Sequence, residues 1–296
     1  MFKLSVAIFM MLFIPQTVFA EMTTEKQNGA ILVKSATTKE VEDLFLKYGY
    51  EDYTKTRSYF PRIYLSKLPT DWKEIPESPT RNRTFIRILL PLVLKINEEI
   101  KAEREEVEKV GRKYVNGQPL SEEDLKLLEE KAEKYNVFTR LKGDERTGLL
   151  LKRLLTNIDE LPPSIMISTA AIYTDWGTSR LALEANDLYK EEIWYKNEGL
   201  RPADDENSDY RYVIYANLED CIRAKSLKIN SHVNYDYFRE SRRMSRELNR
   251  PPFGRQLAVK MMNDSNYQNI AGIIDYTFIF YKLDNTDYFP QLRDVE

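Results

Sequence analysis

The sequence predicts a mainly α (α+β) fold, and three observations lead there. Apolar residues recur at helical spacing through long stretches between residues 38 and 158. One stretch, "YRYVIYAN" (Tyr210–Asn217), has the β-branched and aromatic content of a strand. No internal repeat and no Gly/Ser-rich linker divides the 296 residues, so one compact domain with an N-terminal extension is expected.

Taken in order, "MFKLSVAIFMMLFIPQTVFA" has a short positive region at Lys3, an apolar run from Leu4 to Ile14 and a small-residue end. That is the pattern of a secretory signal peptide over residues 1–20, with Glu21 as the mature N-terminus. The run is short for a bilayer crossing, so no permanent membrane span is expected after cleavage. Residues 21 to about 38 read as polar and loosely ordered. "TTKEVEDLFLKYG" starts with a Thr cap and puts Val41, Leu44, Phe45 and Tyr48 on one helix face. "FPRIYLSKLPTDWKEIPESP" has four prolines in twenty residues and reads as an extended segment on the outside of the domain.

Arg81 to Lys113 follows as a long helix, apolar in its first half, with Pro91 expected to kink it. Its second half carries Glu, Lys and Arg at i,i+4 spacing, the mark of a solvated face. Ser121 with Asp124 three positions on opens the next helix, and Asp144 to Ile158 reads as another. Pro162 and Pro163 suit a helix first turn that Gly177 closes; a short helix from Ser179 to Ala185 comes next. Beyond an acidic, irregular region at Lys190 to Ser208, helices are expected at Leu218–Ser231, Tyr235–Leu248, Arg255–Met262 and Ile270–Leu283.

Charge and composition exclude several classes. The net charge of -3 gives no basic footprint, so no nucleic-acid partner is expected. Arg239, Arg242, Arg243, Arg246 and Arg250 alternate with Glu240 and Glu247 at helical spacing and read as a solvated face. Cys221 is the only cysteine, which rules out an intrachain disulfide, and it reads as a small buried hydrophobe. With one Cys, one His (His232) and no spaced ligand motif, no metal and no cofactor are expected.

One segment does carry a chemical pattern. In "STAAIYTDWGTSRLALEAND" (Ser168–Asp187), Thr169, Tyr173 and Trp176 fall at i, i+4 and i+7, a stripe on one helix face leading into a sharp turn. Such a stripe makes the wall of a cleft or simply packs in the core.

Around this segment, "PPSIMISTAAIYTDWGTSRLALEANDLYKEEIW" resembles the active-site region of bacterial glucosaminidases of the Bax and flagellar-hydrolase type, glycoside hydrolase family seventy-three. "FPRIYLSKLPTDWKEIP", "FIRILLPLVLKINEEI" and "YANLEDCIRAKSLKINSHVNYDYFR" extend the resemblance over roughly residues 42 to 275. The resemblance implies a lysozyme-like domain at residues 146–290 with a small β insertion, a helical segment at 81–145 packed on it, and an N-terminal extension at 21–80. It implies an exported protein of the bacterial periplasm or cell envelope, and a partner that is peptidoglycan or another N-acetylglucosamine-containing glycan.

By position, Trp176 to Arg180, Glu184 and Asn186 match the family motif, while its catalytic glutamate falls on Tyr173. Thr169 stands where Gln is usual and Asp175 where Gly is usual; "NDSNYQN" keeps Ser265 of a second cleft element but not its Glu and Arg. Glycoside cleavage needs a protonated carboxyl aimed at the leaving oxygen. A Tyr hydroxyl, with an ordinary pKa of about 10, is a weak acid for that task. The expected function is therefore a catalytically impaired relative that binds peptidoglycan or regulates its hydrolysis. Substrate contacts would come from Thr169, Trp176, Glu184, Asn186, Tyr189 and Trp194. Two alternatives stay open: a divergent hydrolase with a relocated acid, and a non-catalytic interaction protein using the charged helix from Glu98 to Lys113.

Overall fold

The computed structural model describes residues 22–51, 59–195, 197–205, 207–248, 254–261, 272–273, 275–277, 279–284 and 291–295. The signal peptide expected at 1–20, Arg250 and the "NDSNYQN" stretch lie outside the described residues. The rest is mainly α with three small sheets.

The segment expected to be loose after residue 21 is a hairpin instead. β1 (Thr23–Gln27) and β2 (Ala30–Ser35) pair antiparallel around Asn28 and Gly29, whose φ angles are 49° and 71°. Two left-handed residues are what a tight two-residue hairpin turn requires, and Asn-Gly is its strongest sequence signal. That signal sits in "KQNGAIL" and was outweighed by the polar composition around it. β2 sends Ile31 and Val33 into the core, and α1 (Thr38–Lys47) follows with a capping box between Thr37 and Glu40.

The proline-rich stretch is not an outer strap. β3 (Tyr59–Pro61) and β4 (Ile63–Leu65) hold Phe60, Ile63 and Leu65 at 2% exposure or less, and Trp72 beyond them is fully buried. Its prolines stand at strand ends and turns, where no ladder donor is needed, so the side chains between them can point inward. β4 lies parallel to β2, and β3 pairs in parallel with β7 (Gln291–Arg293), tying the early chain to its last described strand.

α2 (Pro79–Val115) is capped by Ser78 and runs 37 residues, about 55 Å, through Pro91 without an interruption of the helix. Ile86 to Leu94 are buried on every face, so this half is a core helix. α3 (Glu122–Lys134) starts on the expected Ser121–Asp124 capping box, and α4 (Gly143–Asn157) packs beside it. α5 (Pro163–Thr174) is the central helix: of its twelve residues only Ile172 and Tyr173 are not buried. α6 (Arg180–Ala185) leads to the hairpin of β5 (Glu192–Trp194) and β6 (Tyr210–Tyr212), a shorter strand than Tyr210–Asn217 promised. α7 (Leu218–Ser231), α8 (Asp236–Glu247) and the short α9 (Gly254–Ala258) complete the helical layer, with residues 272–273 and 275–277 also helical.

The chain that enters α5 is gripped from three helices. Arg242 of α8, expected on a solvated face, is 1% exposed. Its Nη1 donates to the carbonyls of Asp159 (2.9 Å) and Glu160 (3.2 Å) and to Asn230 Oδ1 (2.9 Å); its Nη2 donates to the Asn157 carbonyl (3.0 Å). Asp159, also buried, is ion-paired to Arg246 and lies 3.7 Å from Arg242 Nε and 3.8 Å from Arg104 Nη1. Asn97 of α2 takes both sides of Leu161, donating to its carbonyl at 2.8 Å and accepting its N–H at 3.0 Å. Arg239 is likewise buried, donating to the Ile229 and His232 carbonyls at 2.8 Å each. Of the described basic residues on α8, Arg243 best fits the solvated reading, held between Glu240 and Glu247. Sequence spacing placed Arg239, Arg242, Arg243 and Arg246 on one helix but could not show how deep the neighbouring carbonyls run.

Burial lowers the Arg242 pKa to about 10, which still leaves it charged at neutral pH. Burial alone would raise Asp159, but Arg242, Arg246 and Arg104 outweigh it and hold the carboxyl below its usual range. Removing one member of a buried pair strands the other, at a cost of about 3–5 kcal/mol. Arg242→Ala is expected to lose about that much unfolding free energy in urea titration. Arg243→Ala should move the midpoint far less; equal effects would contradict the assignment.

Candidate functional site: the open end of the central helix

α5 is fixed at both ends. At its start, Ser164 N donates to Asp284 Oδ1 (3.0 Å), Ser164 Oγ donates to Asp284 Oδ2, and Gly254 N joins at 2.9 Å. Burial pushes the Asp284 pKa up to about 6, and donors from the first turns of two helices oppose that rise. At its end, Thr174 Oγ1 donates to the Ala170 carbonyl (2.6 Å) and accepts the Gly177 N–H (2.8 Å). Asp175, Trp176 and Gly177 then have φ of 48°, 57° and 84° in succession. The helix is therefore closed by Asp175 rather than Gly177. Gly177 is still required, because a Cβ there would come within 2.8 Å of Leu68 and 2.9 Å of Phe85 and Trp72.

This turn rearranges the expected stripe. Trp176 is off the helix and buried at 7% exposure, its ring edge-on to Phe85 at 5.9 Å and to Tyr276 at 5.3 Å, and its carbonyl accepts the Trp72 indole N–H at 2.9 Å. Thr169 is also buried, donating to the Ile165 carbonyl at 2.7 Å. Tyr173 alone of the three is half-exposed, where the buried helix reaches the surface. An i, i+4, i+7 pattern holds only while the helix lasts, and this one ends one residue after Tyr173.

The remaining proposed contacts divide the same way. Asn186 is the left-handed C-cap of α6, and its Nδ2 donates to the Tyr215 carbonyl at 2.8 Å. Tyr189 is buried at 2% exposure with the Lys225 ammonium 5.6 Å from its ring centre. Thr169, Trp176, Asn186 and Tyr189, expected as direct substrate contacts, are all buried and pack or hydrogen-bond within the scaffold. Glu184 is exposed and accepts from Arg180 Nε at 2.9 Å, while Arg180 Nη1 donates to the Arg201 carbonyl. It braces the start of α6 against the insertion.

Trp194 is exposed, 51%, and belongs to a patch that sequence reasoning read only in part. Tyr210 lies directly across the hairpin, 5.2 Å centroid to centroid, Tyr195 (83% exposed, φ 58°) lies 6.1 Å away, and Tyr212 meets Tyr210 at 5.5 Å. The clue was "YRY" against "IWY": alternate positions on paired strands face the same side.

Beneath this hairpin lies a charged, buried base. Asp187 Oδ1 accepts the Tyr189 N–H and Oδ2 the Glu191 N–H, both at 2.9 Å. Glu191 pairs with Lys225 at 2.9 Å and with Lys228. Burial would raise the Glu191 pKa, but the two lysines outweigh it and keep the carboxylate charged. Burial pushes Asp187 up to about 6, with its two N–H donors opposing and the Glu191 charge adding. Cys221 is buried beside it, accepting the Leu188 N–H at 3.3 Å, with its thiol pushed up by burial. Glu192, Glu198, Asp204, Asp205 and Asp209, the other described carboxylates of the insertion, are exposed. Among the described residues no group of three or more His, Cys, Asp or Glu side chains is placed to hold a metal ion, and no helix is long and apolar enough to cross a membrane.

Compared with known proteins, the chain is 28% identical over 182 residues to Protein bax of Escherichia coli strain K12, a span of 62% of each chain. No protein-family profile matches the chain, and no solved structure does.

Asp187 gives a pH signature. Its folded pKa lies above the ordinary 3.8, so the folded state holds the proton more tightly than the unfolded one. The stability it contributes is present below pH ~4 and is lost as pH rises to ~6, up to about 3 kcal/mol for a two-unit shift. In urea titrations at both pH values, Asp187→Asn is expected to remove that fall from the difference between wild type and variant. An unchanged pH dependence would contradict the assignment.

Proposed function

We propose that the chain recognises an N-acetylglucosamine-containing glycan of the bacterial cell envelope, peptidoglycan in the first place, and holds it without cutting it. The similarity to Protein bax and the resemblance of residues 162–194 to the glucosaminidase motif support a lysozyme-like, glycosidase-derived domain. The observation that carries the non-cleaving part is Tyr173. It occupies the one surface-reaching polar position of the central helix, where the motif places the catalytic glutamate.

Among the described residues, the carboxylates of the insertion and its base are poor replacements. Asp187 is fully buried and engaged by backbone donors, and Glu191 is locked to two lysines. The exposed carboxylates of the insertion sit in water, whereas a glycosidase acid works from a partly apolar site. General acid assistance accounts for about 10²–10⁴ in rate, so its loss leaves little turnover. Binding needs no acid: exposed aromatic rings such as Trp194 and Tyr195, beside the half-buried Tyr210, present an apolar face with polar edges, the character of a sugar ring's partner. The proposal includes export, with residues 1–20 as the leader.

The test is a peptidoglycan zymogram beside co-sedimentation with purified sacculi. The wild-type chain is expected to pellet with sacculi and leave no cleared band. Trp194→Ala should weaken pelleting by up to about tenfold, the loss of one good stacking contact. A cleared band from the wild type would overturn the non-cleaving reading. Absence of pelleting would overturn the glycan-binding reading.

A further inference from the structure

A cavity of about 480 Å³ opens on the outer face of the first sheet and shares no residue with α5 or the aromatic hairpin. That volume lies within the range of about 300–1,000 Å³ usual for small-molecule sites. Strand alternation sets its floor. Ile31 and Val33 of β2 point into the core, so Ala30 and Leu32 point the other way and line the cavity. Tyr64 of β4 stands beside Leu32 in the sheet, at 5% exposure.

One wall is a chain of polar contacts with Arg62 at its centre. The Arg62 Nη atoms donate to both oxygens of Glu98, at 2.8 and 3.1 Å. Its Nε donates to Asp294 Oδ1 at 2.9 Å, and Nη1 also reaches the Tyr64 hydroxyl at 3.3 Å. Lys95 Nζ donates to Glu219 at 2.7 Å and lies 4.9 Å from the centre of the Tyr64 ring. Asp294 packs so closely on Gly29 that a Cβ there would come within 2.6 Å of its Cγ. The wall is therefore built in advance, which keeps the ordering cost of binding low.

What the wall leaves unused defines the ligand. Lys95 gives one N–H to Glu219, and its others have no partner among the described residues. The Tyr64 hydroxyl accepts from Arg62 and donates to no described residue. Burial pushes its pKa up to about 12, so it keeps its proton at neutral pH. Together these donors suit a carboxylate. On the other side of Arg62, Asp294 Oδ2 has no donor among the described residues and suits an ammonium. A sugar fits less well, because the one aromatic ring lining the cavity, Tyr64, already carries the Lys95 ammonium over its face. The floor of Ala30 and Leu32 matches small aliphatic side chains instead.

We propose that this cavity binds a short peptide of small aliphatic residues, its terminal carboxylate on Lys95 and Tyr64 and its terminal ammonium on Asp294. The site uses no residue of the glycan reading and is independent of it. Isothermal titration calorimetry of the full chain with trialanine tests it, beside N-acetyl-trialanine and trialanine amide. Trialanine is expected to bind, and capping either end should weaken it by at least about tenfold, the loss of one charged hydrogen bond. Asp294→Asn should weaken trialanine as much and leave N-acetyl-trialanine unchanged. Lys95→Gln should weaken trialanine as much and leave trialanine amide unchanged. In these variants Arg62 keeps Glu98 and Glu219 keeps Arg223, so the thermal midpoint should hold. N-acetylglucosamine is not expected to displace trialanine. Absence of trialanine binding, equal affinity for the capped peptides, wild-type affinity in both variants, or displacement by N-acetylglucosamine would overturn the proposal.

Discussion

The buried contact between Arg242 and the chain at Asn157–Glu160 is the constraint on which the site depends. Five residues of irregular backbone precede α5, and irregular backbone inside a protein leaves carbonyls that must find donors. Arg242, Arg104 and Asn230 supply them, with Asn97 taking both polar groups of Leu161. These side chains come from α2, α7 and α8, so three helices agree on where α5 begins. Asp284 then fixes its first turn, and the Thr174–Gly177 hydrogen bond fixes its last. Tyr173 is thus carried by a helix fixed at both ends.

From that helix the fold builds outward in a consistent way. The three-residue left-handed turn at Asp175–Gly177 sends Trp176 into the aromatic cluster with Phe85 and Tyr276 and starts α6 on the Ser179 cap. α6 ends at Asn186, whose amide holds the Tyr215 carbonyl, and Asp187 caps the next two available N–H groups. The aromatic hairpin therefore stands on a base of buried polar contacts, with the Trp194 and Tyr195 rings on the solvent side. Rigid support beneath and exposed rings above is the arrangement a ligand platform needs.

Much of this was legible in the residues, and the misses have physical causes. Local signals held where the chemistry is local: the Ser121–Asp124 box and the Pro163 first turn each do what their spacing says. The mainly α class held because long stretches such as Phe85 to Ile100 bury a helical face. Burial of polar residues was not legible. Arg242 and Arg243 are neighbours of the same type, and only the carbonyls facing Arg242 separate their fates. Trp176 and Tyr189 read as cleft aromatics because an aromatic near a motif does not reveal which side its ring takes. At the first hairpin the turn chemistry of Asn28–Gly29 overrides the polar composition around it.

The central claim is a glycan held on the Trp194 hairpin and left intact. Of the three tryptophans, Trp72 and Trp176 are buried and Trp194 is half exposed, so iodide quenching of intrinsic fluorescence reports on Trp194. The decisive measurement is that quenching with and without a soluble peptidoglycan oligosaccharide, with the sugar recovered and its mass determined. Shielding of the exposed tryptophan with a full-length glycan recovered is the expected result. Unchanged quenching, or a shortened glycan, would contradict it.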